Sequence, residues 1–189
     1  MEENEVRIYF GGDLTNLYEI GWLSSDLSQV IDFSELLEFE DFERTEKFFG
    51  EKARPFNRFT KVVNRPHKRP EIIDVRKGSV ELVLGGVTVA AAILMPLVQI
   101  YAQRYFEQQN EEVFFEVSPQ DKSLKRILDA YARGEFGRGS EGLSALFSLL
   151  EIRNYDVRVL SQNVYLVEHV VERYAQRIVR TIKKNRPDS

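Results

Sequence analysis

The sequence predicts an α+β fold in which a small, mostly antiparallel sheet packs against helices. Short runs rich in β-branched and aromatic residues occur near the start of the chain and on both sides of a turn at residues 77–79. Elsewhere, apolar residues recur at intervals of three and four over long stretches, which is typical of helices with one buried face. The 189 residues, of which 43% are apolar, are sufficient for a single domain, residues 1–189, with one hydrophobic core.

The first 70 residues predict a strand, one or two helices and a loop. The strand is Val6 to Phe10, because the sequence VRIYF is rich in β-forming residues and a Gly-Gly-Asp turn ends it. Apolar residues then recur at helical spacing from Leu14 to Phe39, within an acidic region that covers residues 1–49. Residues 50–70 are basic and contain three prolines, so we expect a connecting loop there, with a short strand at residues 59–63.

Residues 71–106 predict a hairpin followed by a very apolar helix. Residues 72–84 form two β-like runs around the Lys-Gly-Ser turn, and the second run alternates as a half-buried strand does. The run LVLGGVTVAAAILMPLVQI, residues 82–100, contains no charged residue. If Gly85 and Gly86 end the strand, the helix is Val87 to Tyr101, about 15 residues or ~22 Å long. That is shorter than the ~30 Å hydrocarbon core of a bilayer.

The same apolar run has a second interpretation, a single membrane span from Val80 to Tyr101. The basic loop would then face the cytosol, Pro96 would kink the helix, and Tyr101, Tyr105 and Phe106 would lie at the interface. We favour a buried helix, because the glycine pair and the strand-like entry are more specific signals than hydropathy. Both interpretations use the same candidate membrane or interface residues: Val87, Val89, Ile93, Leu94, Leu97, Val98 and Tyr101.

Residues 111–189 predict two further strands and at least two helices. A strand is expected at residues 113–117, and Ser118 with Pro119 is expected to start a helix that ends at Ala132. An apolar segment at residues 143–150 follows a glycine-rich loop, and residues 155–160 (YDVRVL) suggest another strand. A long amphipathic helix from about residue 162 to residue 184 should close the chain, because its apolar residues keep regular spacing.

The net charge of -4 conceals an uneven distribution along the chain. Residues 1–51 contain fourteen Asp or Glu against three Lys or Arg, whereas residues 52–77 contain nine Lys or Arg against two Asp or Glu. The C-terminal helix is also basic. Such asymmetry is compatible with an anionic partner, but we expect the acidic and basic segments mainly to screen each other within the fold.

Two basic segments are candidate anion-binding or partner-binding surfaces. The first interleaves aromatic residues and His67 with cations, which suits phosphate contacts, an anionic lipid surface or simply a solvated loop. The second lies along the final helix, where cations near the C-terminus also suit the helix dipole. The candidate residues are Arg54, Arg58, Lys61, Arg65, Lys68, Arg69, Arg173, Arg177, Arg180 and Lys184.

The sequence offers little evidence for an enzyme. Residues 137–142 (GRGSEG) match the spacing of phosphate-binding glycine loops, but they follow a helix and not a strand. They therefore predict a glycine loop between helices, with a weak anion site as the alternative. His67 and His169 are the only histidines and neither lies in a metal-ligand pattern. No G-x-S-x-G sequence is present, so we assign no catalytic, cofactor-binding or metal residue.

These observations favour a non-enzymatic interaction or regulatory module that self-assembles or binds a protein partner. The alternative is a small single-span membrane protein or a membrane-acting effector with residues 82–101 inserted. Weak nucleic-acid binding through the basic segments is a third and less favoured hypothesis, because the chain is acidic in sum. An acidic first ten residues and the absence of cysteine predict a cytoplasmic location, and no cofactor is expected.

Overall fold

The computed structural model describes residues 4–10, 17–54, 56, 62, 71–76, 80–109 and 115–184. In this part of the chain lie four strands and seven helices. The strands are β1 (Asn4–Phe10), β2 (Glu71–Arg76), β3 (Val80–Val87) and β4 (Phe115–Pro119). The helices are α1 (Leu17–Glu38), α2 (Phe42–Phe49), α3 (Val89–Glu107), α4 (Lys122–Ala132), α5 (Gly139–Ile152), α6 (Arg158–Ser161) and α7 (Val164–Lys184). The predicted α+β class is confirmed.

The four strands form one antiparallel sheet in the order β2-β3-β1-β4. The predicted first strand and the predicted hairpin are therefore present, as β1 and as β2 with β3. Alternate residues of β1, Val6, Ile8 and Phe10, are buried, and this face of the sheet contributes to the core. The predicted strand at residues 59–63 lies outside the described residues except for Val62.

Helix α3 is the central element of the fold. Every residue from Ala90 to Ala102 is buried, and the helix packs against α1, α7 and β4. The first half of the helix, residues 90–98, is apolar and buried all round its circumference, so other parts of the protein must surround it there. Pro96 lies inside α3 and is itself buried.

The boundary between β3 and α3 differs from the prediction. The strand does not end at Gly85 and Gly86 but continues to Val87, and Gly86 adopts the positive φ of 71° that favours glycine. Thr88 then caps α3, its hydroxyl oxygen accepting a hydrogen bond from the Ala91 N–H at 3.1 Å. Val87 therefore belongs to the sheet, and the other six candidate interface residues belong to α3.

Helix α3 is also longer than predicted, with 19 residues instead of about 15. The extra residues form a polar last turn that includes Gln103, Arg104 and Glu107. The prediction stopped before them because it followed the apolar residues alone. Within the residues that the structure describes, no helix combines the length and the apolar content needed to cross a membrane.

Two further predictions near β4 and α6 are wrong. Ser118 and Pro119 do not start a helix but end β4, and Asp121 is the actual cap of α4, accepting hydrogen bonds from the N–H groups of Ser123 and Leu124. Residues 155–160 form no strand. Val157 and Leu160 are both fully buried at a spacing of three, which suits the short helix α6.

The final amphipathic helix is confirmed as α7. Its buried residues recur every three or four positions, as the sequence predicted, and the helix packs against α1, α3 and α5. Helix α7 therefore forms one side of the core around α3, and the sheet and α4 lie on other sides of the same helix.

Candidate functional site

A groove with a volume of about 570 Å³ lies between α3, β4 and α4. All five residues of β4 line it, together with one side of α3 and one side of α4. This volume lies within the ~300–1,000 Å³ typical of ligand pockets. None of the residues that line it was among the candidates from the sequence.

Strand β4 is the outermost strand on this side of the sheet, so one of its edges is not paired within the described residues. Its pairing with β1 fixes which backbone groups face that edge. Gln120 donates its N–H to the carbonyl of Glu5 at 2.9 Å, and the strands are in regular register from there to Phe115. Hydrogen-bonded and non-bonded pairs alternate in antiparallel sheets. The backbone N–H and C=O groups of Ser118 and Glu116 therefore point towards β1. Those of Val117 and Phe115 point away from β1, towards the groove.

Among the described residues, the free edge of β4 therefore leaves two N–H donors unpaired, those of Phe115 and Val117, and three carbonyl acceptors, those of Phe115, Val117 and Pro119. Pro119 has no N–H, and it occupies a position whose N–H would point away from β1, where proline is tolerated. Unpaired groups of this kind are a template for pairing with another extended segment.

The α3 side of the groove carries a row of polar side chains spaced four residues apart. Gln99 donates from Nε2 to Oε1 of Gln103 at 3.0 Å, and Gln103 donates in turn to Oε1 of Glu107 at 3.1 Å. Gln99 is only 9% exposed, at the buried end of the row. Residues four apart lie on the same face of a helix, so this row forms a continuous polar wall.

The α4 side of the groove carries a lysine held between two carboxylates. Lys125 Nζ lies 3.2 Å from Oδ1 of Asp129 and 3.7 Å from Oε1 of Glu116, which belongs to β4. All three side chains are substantially exposed, so each pair adds little to stability. They contribute two negative charges and one positive charge to the solvent-exposed lining of the groove.

Two interactions fix α4 beside β4. Tyr155 donates its hydroxyl to the carboxylate of Asp121 at 2.7 Å, at the start of α4. Partial desolvation raises the pKa of Asp121, but the hydrogen bonds from Tyr155, Leu124 and Ser123 outweigh it and the net pKa is lowered. Desolvation and the same hydrogen bond raise the pKa of Tyr155 to about 12.

At the other end of α4, the hydroxyls of Tyr101 and Tyr131 are hydrogen-bonded at 3.0 Å. Arg104 lies over both rings and donates to the Tyr131 carbonyl at 3.1 Å. Burial and the bond to Tyr131 raise the pKa of Tyr101 well above its ordinary value. The groove is thus bounded by elements whose relative positions are fixed, which favours binding without a large conformational change.

The glycine loop at residues 137–142 does not offer an empty anion site. The carboxylate of Glu168, from α7, lies beside Gly139 at the start of α5. Its Oε1 would lie 3.2 Å from a Cβ on Gly139. A carboxylate is stabilised at a helix N-terminus, so the protein itself supplies the anion there. Desolvation and the neighbouring Glu172 nevertheless raise the pKa of Glu168.

The basic residues of α7 do not form one exposed row. Arg177 forms an ion pair with Asp26 of α1 at 2.9 Å, and it also donates to Gln29 at 3.3 Å. Asp26 is fully buried, so this pair lies within the interface between α1 and α7. Arg173 is half-buried and donates to the Ala53 carbonyl at 3.3 Å.

Of the remaining basic candidates, Arg54 and Arg180 are exposed. Arg58, Lys61, Arg65, Lys68 and Arg69 lie outside the described residues, as does the side chain of Lys184. The hydrogen bond from Arg173 to the Ala53 carbonyl places α7 against the residue before Arg54, at the start of the first basic segment. The Asp26–Arg177 ion pair joins the acidic N-terminal region to the basic C-terminal helix.

The described residues contain no group of three or more His, Cys, Asp and Glu side chains that could hold a metal ion. His169 is half-buried on α7. Comparison with family models, with curated proteins and with solved structures gives no match.

The sequence carried one overlooked signal for the groove. Gln99 interrupts the apolar run of α3, and Gln103 and Glu107 follow it at intervals of four. A polar residue within a buried helix usually has a specific partner, and three such residues on one face mark a polar surface. The free edge of β4 had no comparable signal, because strand order cannot be read from the pattern of apolar residues.

Proposed function

We propose that the chain is a non-enzymatic interaction module that binds an extended segment of a protein partner, adding it as a fifth strand beside β4. The observation that supports this proposal is the row of backbone groups of Phe115, Val117 and Pro119, which pair with no described residue and face a groove of about 570 Å³. Main-chain hydrogen bonds supply the affinity in such strand addition, and the neighbouring side chains supply the specificity.

A lone segment fits the groove better than a second sheet does. Helices α3 and α4 line the groove together with β4, so they restrict what can approach the open edge. A pre-formed sheet from a second copy would bring its own flanking helices against these walls. The proposal is therefore a protein partner that contributes one extended segment, with self-assembly as the competing outcome.

The experiment uses a display library of random linear peptides, selected on the immobilised full-length chain. Selected peptides are then measured by fluorescence anisotropy against the wild type and Val117→Pro. Proline removes the Val117 N–H, which faces the groove and bonds to no described residue, so the sheet should keep its internal hydrogen bonds while peptide affinity falls roughly tenfold.

A second measurement does not depend on the folding of the variant. The selected peptides are N-methylated one residue at a time, and strand addition predicts that every second position loses affinity. Equal affinity for Val117→Pro and no two-residue period would overturn the proposal, and so would a library that yields no binding peptide. A free protein that sediments as a dimer, and as a monomer after Val117→Pro, would assign the edge to a second copy.

We also propose the cytoplasm as the location of this module. The support is its lack of cysteine, because oxidising compartments are where proteins commonly use disulfides. Fractionation of cells that express a tagged chain tests this directly, and recovery of the chain in a secreted or membrane fraction would contradict it.

A further inference from the structure

The charge of the groove indicates which segments it selects. Among the described residues that line it, three carry carboxylates, Glu107, Glu116 and Asp129, and one, Lys125, carries a positive charge. The sum is three negative charges against one positive, or -2. Each of the three elements that bound the groove contributes one of the carboxylates, so the negative charge surrounds the free edge of β4.

Lys125 is not available to bind an anionic ligand. Its ammonium group already lies 3.2 Å from Asp129 and 3.7 Å from Glu116. An approaching carboxylate or phosphate would have to compete with two side chains that hold the lysine. Glu107 has no such cationic neighbour among the described residues, and its Oε1 accepts only from the amide of Gln103.

The polar wall of α3 adds hydrogen-bond acceptors to this charge. Each amide of the row donates towards the C-terminal end of the helix, so Oε1 of Gln99 is left as an acceptor that receives no hydrogen bond from the described residues. Lysine and arginine side chains carry three and five N–H donors respectively and no acceptor. A cationic side chain that pairs with the carboxylate of Glu107 therefore meets a wall that offers it acceptors and no competing cation among the described residues.

We propose that the segment bound at β4 carries a lysine or arginine whose side chain pairs with the carboxylate of Glu107, at the end of the row formed by Gln99, Gln103 and Glu107. This inference rests on the proposed function, because the backbone of the segment must first pair with β4. Backbone pairing is largely independent of sequence, so the cationic side chain is what distinguishes the partner from other extended segments.

The experiment compares one selected peptide with its analogue in which the basic residue is replaced by glutamine. Each is measured against the wild type, Glu107→Gln and Glu107→Lys, at low and at high salt. The wild type should bind the basic peptide roughly fivefold more tightly than the analogue, and Glu107→Lys should abolish that preference. Glu43→Lys, on the exposed surface of α2, is the matched control for the change in net charge, and it should leave the preference intact.

The two proposals fail in distinguishable ways. If Val117→Pro weakens binding but the selected peptides contain no enriched basic residue, or their affinity does not respond to Glu107, this inference is wrong and strand addition stands. If basic peptides bind equally to the wild type and Val117→Pro, the groove binds cations without strand pairing and the proposed function is wrong. If Glu43→Lys weakens binding as much as Glu107→Lys does, the preference is a property of net charge and not of the groove.

Discussion

Substitution of Arg177 by methionine should destabilise the protein strongly, although arginine is usually a surface residue. The side chain of Arg177 is 23% exposed, and its guanidinium pairs with Asp26, whose side chain is 1% exposed. Methionine keeps much of the length of the apolar stem, but it loses the guanidinium that lies over the Tyr174 ring and leaves the Asp26 carboxylate without this cation. Removing one partner of a buried ion pair costs about 3–5 kcal/mol, and we expect about 3 because Arg177 is partly exposed.

For a domain of this size, a loss of about 3 kcal/mol lowers the midpoint of thermal unfolding by ~6–12 °C. Chemical denaturation followed by circular dichroism gives the free energy of unfolding directly. Arg180→Met, on the exposed side of the same helix, is the control and should change the free energy by less than about 0.5 kcal/mol. If the Arg177 variant is as stable as the Arg180 variant, the ion pair contributes nothing and our account of the α1–α7 interface is wrong.

Three further predictions concern the edge of the sheet and two titrating groups. Amide hydrogen exchange in the free protein should alternate along β4, with Glu116 and Ser118 protected and Phe115 and Val117 exchanging quickly; uniform protection would mean that the edge is covered. Tyr155→Phe should reduce the loss of stability in acid, because it removes a hydrogen bond that lowers the pKa of Asp121. In the wild type the folded pKa of Asp121 lies below its ordinary value of 3.8, so the carboxylate stabilises the fold above pH 3.8. This contribution disappears as the pH falls through the folded pKa. Urea unfolding between pH 2 and pH 5 measures the slope, and an unchanged slope would contradict the role of the tyrosine. Glu168→Gln should be at least as stable as the wild type at pH 7, because the raised pKa of Glu168 means that its ionisation above pH 4.5 costs stability. Urea unfolding at pH 7 compares the two proteins, and a glutamine variant that is clearly less stable would contradict this cost of ionisation.

The sequence predicted those elements whose pattern is long or is bounded by clear turn residues. The 21-residue helix α7 was predicted within two residues, because regular apolar spacing over many turns has few alternative explanations. The hairpin of β2 and β3 was predicted for a similar reason, since two β-rich runs enclose a glycine turn. Boundaries were less reliable. The strand β3 continues through Gly85 and Gly86, because Gly86 adopts a positive φ and the sheet still pairs on both sides of it.

The errors arose where a local signal competed with the tertiary structure. Ser118 and Pro119 resemble a helix start, but β1 pairs with this segment and Asp121 caps the helix instead. Residues 155–160 have a β-like composition, yet Val157 and Leu160 are both buried only when the backbone is helical. The groove itself depends on β4 lying at the edge of the sheet. That is a property of strand order, and one sequence does not reveal it.

The ion pair between α1 and α7 also has a consequence for the order in which the protein folds during synthesis. Arg177 and Gln29, which are hydrogen-bonded, are 148 residues apart in the chain, and Asp26 is more distant still. While the ribosome is making the middle of the protein, the acidic helix has no basic helix to bury it, and α3 has its apolar surface open on the side that α7 will cover. Loss of the last helix, by truncation or stalled translation, should therefore leave an aggregation-prone chain and not a smaller stable domain.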